Sequence, residues 1–301
     1  MTSFCRRPGR LIRAVLIAAA ALLSSPAPVA AFELAPFKDG LFAYPGILAM
    51  DDNGYRMVVD YQEKRDIHQR DEVPEKKVRG AYVDLSPRRV QREAVLETLF
   101  GSVRHMTVGR TKGARLITIY LHGQGGNRLQ GVNDYTFGGN FNRIKNLMVR
   151  NGGLYLSPDV SNFGDMGAAQ IAVLIRHYRE ASPGAPVIIA CGSMGGALCW
   201  KLADRPDISP LLGGILLLGS MWQNDFRNVA AIHLRVPILI GHGSQDRVFP
   251  VGAVESFHRK VRKAFPGYPI RFVRFETGSH GTPIRMIDWR DAINWMLSAR
   301  G

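Results

Sequence analysis

The 301-residue sequence is poor in cysteine and in acidic residues. Its three cysteines form no Cys-x-x-Cys pair and have no zinc-site spacing, so we expect no metal. Asp and Glu number 25 against 39 Lys and Arg, a formal net charge of +14. The basic residues are scattered rather than clustered, which favours a solubilising surface charge over a dedicated partner. We expect no nucleic-acid partner, and peripheral contact with an anionic surface is the alternative.

Motifs that cradle phosphates are also missing. The sequence has no Gly-x-Gly-x-x-Gly, and no Lys-Ser or Lys-Thr pair follows its glycine-rich turns. These absences argue against nucleotide binding, and we expect no cofactor. There is no internal repeat, low-complexity tract or linker that would divide the chain.

The N-terminus has the pattern of a secretory leader. Four arginines precede an apolar run, Ala14 to Leu23, which is shorter than the roughly twenty residues that a bilayer span needs. Val29-Ala30-Ala31 offers small residues for cleavage, and Pro8 after Arg6-Arg7 argues against a twin-arginine signal. We expect residues 1–31 to be a signal peptide cleaved near Ala31, with export to the periplasm or medium. A single domain, 32–301, would remain, comprising N-terminal strands and a helix (32–113) and a catalytic core (114–301).

A strand, a tight turn and a helix are predicted around Ser193. The β-branched run Val187 to Ile189 leads into a turn at residues 191–196, and good helix formers begin at Ala197. Such a turn requires small residues two before and two after the serine, and Cys191 and Gly195 satisfy this. The pattern is that of a nucleophile elbow, although the pentapeptide alone fits an ordinary turn equally well.

Two cysteines flank the predicted elbow. Cys191 lies at the strand end and Cys199 on the helix, and both are expected to face the interior. A disulfide is open in an oxidising compartment. Because the two residues lie on opposite limbs of the turn, we expect two buried thiols instead.

Strands and helices alternate from residue 114 onward. Predicted strands cover 116–121, 154–156, 187–189, 214–218, 236–240 and 270–275; helices are predicted around 141–148, 168–178, from 197, and at 225–232, 251–265 and 283–298. This alternation predicts an α/β fold with a mostly parallel sheet covered by helices on both faces.

The segment before residue 114 is less regular. The pattern predicts a β-hairpin over 47–61 with its turn at 51–54, then a charged, solvated loop over 62–77. A strand at 78–85, a helix beginning at Ser86-Pro87 and a strand at 103–108 follow. The helix would present an apolar face made of Val95, Leu96, Leu99 and Phe100.

Three residues at predicted strand ends form a candidate catalytic triad. A serine hydroxyl needs a base to take its proton, and an imidazole held by a carboxylate does this at neutral pH. Ser193, Asp246 and His280 each follow a strand, in the order nucleophile, acid, base. Singly, His280 fits a capping histidine and Asp246 a turn residue; together with the elbow they favour a triad.

The candidate oxyanion hole lies at two turns. The elbow places the Met194 N–H beside the serine, and the glycine-rich turn after His122 offers a second donor. Gln124 is the favoured second donor, with Gly123 and Gly125 as alternatives. We expect His122, like His242, to be a structural hydrogen-bonding residue.

These motifs resemble a known family. Leu121-His122-Gly123-Gln124-Gly125-Gly126, Gly192 to Leu198, Gly241 to Pro250 and Ser279-His280-Gly281 resemble the α/β-hydrolase superfamily, nearest to its phospholipase/carboxylesterase branch with the acyl-protein thioesterases. The resemblance covers residue 116 to the C-terminus. It implies an α/β-hydrolase fold and a Ser-His-Asp hydrolase. Cys191 replaces the usual first glycine of the elbow, and the segment to Arg115 has no counterpart.

The substrate site is expected to be open. Residues 221–235, between two strands, are too few for a lid domain. The expected pocket walls are Met221, Trp222 and Phe226 on one side and Tyr135, Phe137 and Phe141 on another, with ordinary core packing as the alternative. An apolar cleft without a lid suits short or medium acyl esters and lysolipids. The sequence thus predicts a small-molecule or lipid ester hydrolase; a thioesterase, a serine peptidase or a non-catalytic binding protein on this scaffold are alternatives.

Overall fold

The structure is a computed structural model that describes residues 1–3, 32–160 and 162–300. The predicted signal peptide, apart from its first three residues, therefore lies outside the described residues. Contacts divide the chain into two units, Met1–Ala30 and Ala31–Gly301, and the described strands and helices belong to the second. None of the helices in the described residues is long and apolar enough to cross a membrane.

Most of the described strands join one sheet. In chain order the strands are β1 (Ile47–Asp51), β2 (Arg56–Val59), β3 (Asp71–Val73), β4 (Lys77–Val78), β5 (Gln91–Leu96), β6 (Val103–Gly109), β7 (Ile117–Leu121), β8 (Leu154–Pro158), β9 (Val187–Gly192), β10 (Leu212–Leu218), β11 (Ile238–Gly243) and β12 (Ile270–Phe275). The α-helices are α1 (Asp39–Phe42), α2 (Asn140–Arg150), α3 (Asp165–Glu180), α4 (Gly195–Asp204), α5 (Ala230–His233), α6 (Val251–Ala264), α7 (Thr282–Met286) and α8 (Trp289–Arg300).

The large sheet has ten strands in the order β1-β2-β12-β11-β10-β9-β7-β8-β6-β5, and β3 pairs with β4 separately. Strands β2 through β8 in this order are parallel, and β1, β6 and β5 are antiparallel to their neighbours. The predicted mostly parallel sheet and the N-terminal hairpin, β1 with β2, are both confirmed.

Helices cover both faces of the sheet, as predicted. Side chains alternate along β9, so that Ile189 joins one buried cluster and Ile188 the other. The first cluster includes residues of α3, α4 and α6, and the second includes residues of α2 and α8. Because both faces are covered, the central strands are continuous buried apolar runs.

The segment between the hairpin and β6 differs from prediction. Residues 62–77 are not a solvated loop: they contain a π-helical turn, Lys64–His68, and bury Asp66, Arg70 and Asp71. The predicted strand at 78–85 is mainly a 3₁₀ turn, Gly80–Tyr82. The predicted helix after Ser86-Pro87 stops after one 3₁₀ turn, and 91–96 form edge strand β5. Of its expected apolar face, Val95, Leu99 and Phe100 are exposed instead.

Buried polar contacts hold this segment against the core. The Arg70 guanidinium donates to the Gly138 carbonyl oxygen from Nε at 3.1 Å and Nη2 at 2.6 Å. Lys145 of α2 lies 2.6 Å from an Asp134 carboxylate oxygen, which also accepts from Asn142. An Asn142 amide N–H also reaches the Asp84 carbonyl oxygen. The N-terminal segment is thus an integral part of the fold.

The predicted C-terminal helix is divided in two. Helix α7 ends at Met286 and α8 begins at Trp289. Between them the Asp288 carboxylate accepts hydrogen bonds from the N–H groups of Arg290 and Asp291 at 3.0 and 3.2 Å. A carboxylate in this position caps a new helix N-terminus, which explains the break.

Candidate active site

Ser193 lies at the apex of the turn between β9 and α4. Its backbone has φ of 50°, in the left-handed region that costs a residue with a Cβ about 1 to 3 kcal/mol. The Ser193 N–H donates to the Leu218 carbonyl oxygen of β10 at 3.3 Å, which pins the turn to the sheet. Met194 follows as the N-cap of α4, where backbone N–H groups have no partner within the helix.

Two glycines allow this turn to fit. A Cβ on Gly195 would collide with the carbonyl oxygens of Leu121 and His122, so the position requires glycine, as predicted. A Cβ on Gly123 would lie 2.8 Å from the Ser193 Cβ. The loop after β7 therefore contacts the serine through bare backbone.

The two cysteines of the elbow are joined by a disulfide, and the prediction of two free thiols was wrong. Their Cα atoms are 6.4 Å apart, within the range that a disulfide spans. The turn folds α4 back along β9, so the two limbs that we expected to separate the thiols bring them together. Both residues are fully buried.

The structure brings Ser193, His280 and Asp246 together in a hydrogen-bonded chain. His280 Nε2 lies 3.0 Å from Ser193 Oγ, and His280 Nδ1 lies 2.8 Å from Asp246 Oδ2. Asp246 follows β11 and His280 follows β12, so all three groups meet at the carboxyl ends of parallel strands of one sheet, in which β10 separates β9 from β11. Asp246 accepts through Oδ2, which places the proton on Nδ1 and leaves the Nε2 lone pair facing the serine hydroxyl.

Asp246 is held as a carboxylate by its surroundings. Burial of the side chain pushes its pKa upward, but hydrogen bonds from His280 and from the N–H groups of Phe249 and Val248 outweigh this, so the pKa stays below its ordinary value. The two N–H groups donate to Oδ1 at 3.0 and 2.7 Å. The charge of Asp246 is therefore available to stabilise a positive imidazolium.

The loop after β7 is a tight turn next to the serine. The Gly126 N–H donates to the Gly123 carbonyl oxygen at 3.1 Å, with Gly125 at φ of 78°. This bond does not use the N–H of Gln124, the first inner residue of the turn. His122 anchors the loop: its Nδ1 donates to Gly123 O at 2.8 Å and its Nε2 accepts from the Val160 N–H at 3.0 Å. Burial lowers the pKa of His122, which keeps it neutral in this structural role.

Solved structures share this architecture. An α/β hydrolase of unknown function from Agrobacterium tumefaciens matches with a TM-score of 0.54 and 17% identity, covering 69% of this chain and 96% of its own. A Xanthomonas campestris protein, described as a serine hydrolase without a lid, matches at 0.52 and 15%, covering 69% and 94%. A thermostable esterase matches at 0.54 and 17%, covering 70% and 63%. The chain has the α/β-hydrolase fold. No protein-family model and no curated protein sequence matches it.

In this α/β-hydrolase fold the strand-to-strand segment that carries a lid in many relatives is short. Residues 219–237, between β10 and β11, contain only a 3₁₀ turn, Phe226–Asn228, and the one-turn helix α5. The expectation of a fold without a large lid is confirmed, and the His280 side chain is 30% exposed.

Two of the expected pocket walls, Phe226 and Phe141, belong to the core instead. Phe226 is 4% exposed and packs on Phe257 and Phe265 in the core, so it is not a pocket wall. Phe141 is also fully buried. Met221 and Trp222 line a cleft of about 320 Å³ together with residues of α4, and neither Ser193 nor His280 lines this cleft. The edge of Trp222 faces Phe249 at 6.4 Å between ring centroids.

A different cleft adjoins the loop that carries His280. Its volume is about 250 Å³, and Ser279 and Gly281, the residues on either side of His280, line it. Thr136 and Phe137 form another part of the wall, whereas their neighbour Tyr135 does not line it. The opposite side comes from the N-terminal segment: Tyr61, Ile67 and Glu75.

Sequence reasoning named Phe137 as a pocket wall, but it missed Tyr61, Ile67, Glu75 and Phe249. The Phe249 ring lies 5.7 Å from the His280 ring and covers one side of the imidazole. Ile67 belongs to the stretch 62–77 that its charges identified as a solvated loop, and Tyr61 is the last residue of the predicted hairpin. No local sequence pattern places Tyr61, Ile67 or Phe249 near His280, because each of these positions depends on how remote strands pair.

The described residues hold no group of three or more His, Cys, Asp or Glu side chains arranged to bind a metal ion.

Proposed function

We propose that the protein is a serine hydrolase that cleaves carboxylic esters through an acyl-enzyme, in the manner of the phospholipase/carboxylesterase branch. The observation that supports this most strongly is the continuous chain Asp246–His280–Ser193, with 2.8 and 3.0 Å between successive partners. Structural neighbours that are described as esterases and serine hydrolases agree with it, although at these identities they establish the fold alone.

In this proposal His280 Nε2 takes the hydroxyl proton as Ser193 Oγ attacks the ester carbonyl carbon. The Asp246 carboxylate stabilises the resulting imidazolium, which then donates the proton to the leaving alcohol. Water then attacks the acyl-enzyme while His280 Nε2 takes its proton, and the imidazolium returns that proton to Ser193 Oγ as the carboxylic acid leaves. Met194 N–H and Gln124 N–H donate to the oxyanion of each tetrahedral intermediate, and loss of one such donor typically costs about 3 kcal/mol of barrier.

Short or medium acyl esters and lysolipids are the proposed substrates. The cleft of about 250 Å³ beside the His280 loop is small, and its apolar side chains, Tyr61, Ile67 and Phe137, suit a hydrocarbon moiety. The short 219–237 segment leaves the site open to solvent. Thioesters and peptide amides are the competing substrates, and the alternative without chemistry is a binding protein on the same scaffold.

The decisive experiment combines covalent labelling with hydrolysis. A fluorophosphonate probe should label the protein at Ser193, and p-nitrophenyl esters should be hydrolysed faster than matched thioesters or peptide amides. Ser193→Ala should abolish labelling and lower kcat by about a millionfold. Ser102→Ala removes an exposed serine between β5 and β6, at an edge of the sheet. It is the matched control and should change neither the labelling nor kcat. A folded wild-type protein that is neither labelled nor active would leave the binding-protein alternative.

We also propose export with cleavage after Ala31. The leader pattern of residues 1–31 supports this, and so does the Cys191–Cys199 disulfide, because such bonds persist in oxidising compartments. Fractionation of cells that express the full chain, with N-terminal sequencing of the product, tests it. We expect exported protein that begins at Phe32; uncleaved protein in the cytosol would contradict the proposal.

A further inference from the structure

A second histidine contacts the acid of the triad. His242 lies on β11, next to its last residue, and its side chain is fully buried. Its Nε2 is 2.8 Å from the Phe249 carbonyl oxygen and 3.3 Å from Asp246 Oδ2. The Phe249 carbonyl oxygen is a hydrogen-bond acceptor, so Nε2 must carry the proton and donate to it, with the Asp246 carboxylate within ion-pair distance of the same nitrogen. Within the described residues the other nitrogen, Nδ1, has no partner.

The ring is held neutral. Burial lowers the pKa of His242, and nearby His280 lowers it further, against the opposing effects of the Phe249 carbonyl and the Asp246 and Glu255 carboxylates. A neutral ring has one proton for two acceptors. His242 is thus a fixed donor and not a second base, and Ser193 is not among its hydrogen-bond partners.

Asp246 and Phe249, the two residues that His242 contacts, also contact the His280 ring. Asp246 Oδ2 faces His280 Nδ1 at 2.8 Å, and the Phe249 ring packs on the His280 ring at 5.7 Å. Both belong to the turn after β11, in which Asp246 Oδ1 accepts from the Val248 and Phe249 N–H groups. One buried donor on a central strand therefore fixes both ends of this turn.

We propose that His242 is a positioning residue of the active site, which acts on the His280 imidazole through the Asp246 carboxylate and the Phe249 backbone. The inference rests on the proposed hydrolase function for its kinetic consequences, but not for its structural ones. Without the donor, the Phe249 carbonyl oxygen loses its hydrogen bond to His242, and Oδ2 of Asp246 loses the N–H group 3.3 Å away. The carboxylate and the Phe249 ring then no longer hold the imidazole in one orientation.

His242→Gln and His242→Phe form the test pair. The glutamine side-chain amide reaches as far as Nε2 and supplies an N–H there, whereas phenylalanine keeps the ring shape and removes the donor. We expect His242→Phe to lower kcat about tenfold to a hundredfold, the effect of misplacing a reacting group by about 1 Å, with KM little changed. His242→Gln should retain kcat within a few-fold.

A second background separates positioning from general stability. If His242 acts through Asp246, then His242→Phe should lower kcat far less in an Asp246→Ala protein than in the wild type, because the group it positions is absent. A residue that only stabilises the fold would lower kcat by the same factor in both backgrounds.

A readout independent of turnover is the downfield proton resonance of the His280 Nδ1–H, identified by its loss in Asp246→Ala. It should persist in His242→Gln and shift or broaden in His242→Phe. If the wild-type protein hydrolyses no ester, the proposed function fails, and this resonance still decides whether His242 positions the pair. If His242→Phe does not fold, His242→Asn replaces it, because its amide is polar but too short to reach Phe249.

Three results would overturn the proposal. One is a folded His242→Phe protein with wild-type kcat and an unchanged resonance. Another is equal impairment in the Gln and Phe variants, which would mean that ring shape matters and not the donor. The third is full additivity with Asp246→Ala.

Discussion

Arg285 and Asp71 lie 214 positions apart in the sequence and form a buried two-point ion pair. Arg285 Nη1 is 3.1 Å from Asp71 Oδ1, and Nη2 is 2.7 Å from Oδ2. Arg285 also donates to the Asp66 carbonyl oxygen at 3.0 Å. The pair joins helix α7, which follows His280, to the N-terminal segment that lines the neighbouring cleft, so a buried ion pair connects the loop that carries His280 to that cleft wall.

Arg285→Met should destabilise the protein strongly. It leaves the Asp71 carboxylate buried without its partner, which typically costs about 3 to 5 kcal/mol, measured as the free energy of unfolding in urea. A double variant, Arg285→Met with Asp71→Leu, should recover most of the loss because no buried charge remains. Asp165→Ala breaks the exposed Lys201–Asp165 pair and serves as the control, with no measurable change expected. Equal stability of the single variant and the wild type would show that this pair does not hold the segment.

The disulfide should stabilise the elbow despite the short loop that it closes. For cysteines eight residues apart, the entropy of closing the unfolded chain predicts a loss of about 2 to 3 kcal/mol in Cys191→Ala/Cys199→Ala. Unfolding in urea measures the difference, with the wild type unfolded in excess reductant as the matched control. Alkylation of denatured, unreduced wild-type protein should leave both cysteines unmodified. Alkylation at both would show the thiols to be free, as the sequence led us to expect.

Gly123→Ala should damage the active site more than the fold. The added methyl group would lie 2.8 Å from the Ser193 Cβ, so the serine or the turn that carries Gln124 must shift. We expect kcat to fall by about tenfold to a hundredfold in ester hydrolysis assays. Gly252→Ala, in helix α6 with open space around the new methyl group, is the control; it should keep full activity and gain up to about 1 kcal/mol of stability. An active Gly123→Ala enzyme would mean that this loop does not contact the reacting groups.

Stability should fall as the pH drops below about 6.5, in part because of His258. Burial lowers the pKa of His258 from 6.5 to about 4, so the unfolded chain binds this proton more readily than the native one. The free energy of unfolding therefore decreases as the pH falls through this window, by about 2 kcal/mol between about pH 7.5 and about pH 5 for this group. Buried His105, His122 and His242 act in the same direction.

Urea unfolding at both pH values checks the share of His258. In His258→Gln the drop between them should be smaller by that amount, whereas His68→Gln, at an exposed position, should leave the drop unchanged. An identical pH dependence in His258→Gln and the wild type would show that this ring is not the titrating group.

The part of the fold from β7 onward could be predicted because its signals are local. Strands such as Ile117–Leu121 are fully buried, and helices such as α2 carry an apolar stripe, so each pattern alone identifies its element. The loop positions of Ser193, Asp246 and His280 follow from the strand ends. Their meeting at one edge then follows from the parallel sheet.

The segment between the hairpin and β6 could not be predicted because its determinants are remote. The charges of Arg70 and Asp71 favour a prediction of solvent exposure, yet the partners of these buried side chains lie far along the chain, at Gly138 and Arg285. Likewise, Phe226 and Phe249 both lie in segments that follow a strand, but Phe226 packs in the core and Phe249 packs on His280. Only tertiary pairing decides between them.

The pairing of β2 with β12 has a consequence for how the molecule acquires its structure. Met57 lies opposite Val273, so the hairpin near the start of the folded region docks only onto the last strand of the sheet. A growing chain that has not yet reached residue 270 offers β2 no parallel neighbour, and β11 has an open edge on that side. The sheet can therefore be completed only when almost the whole polypeptide is present. A fragment truncated before β12 would leave the β2 and β11 edges unpaired and would be prone to aggregate.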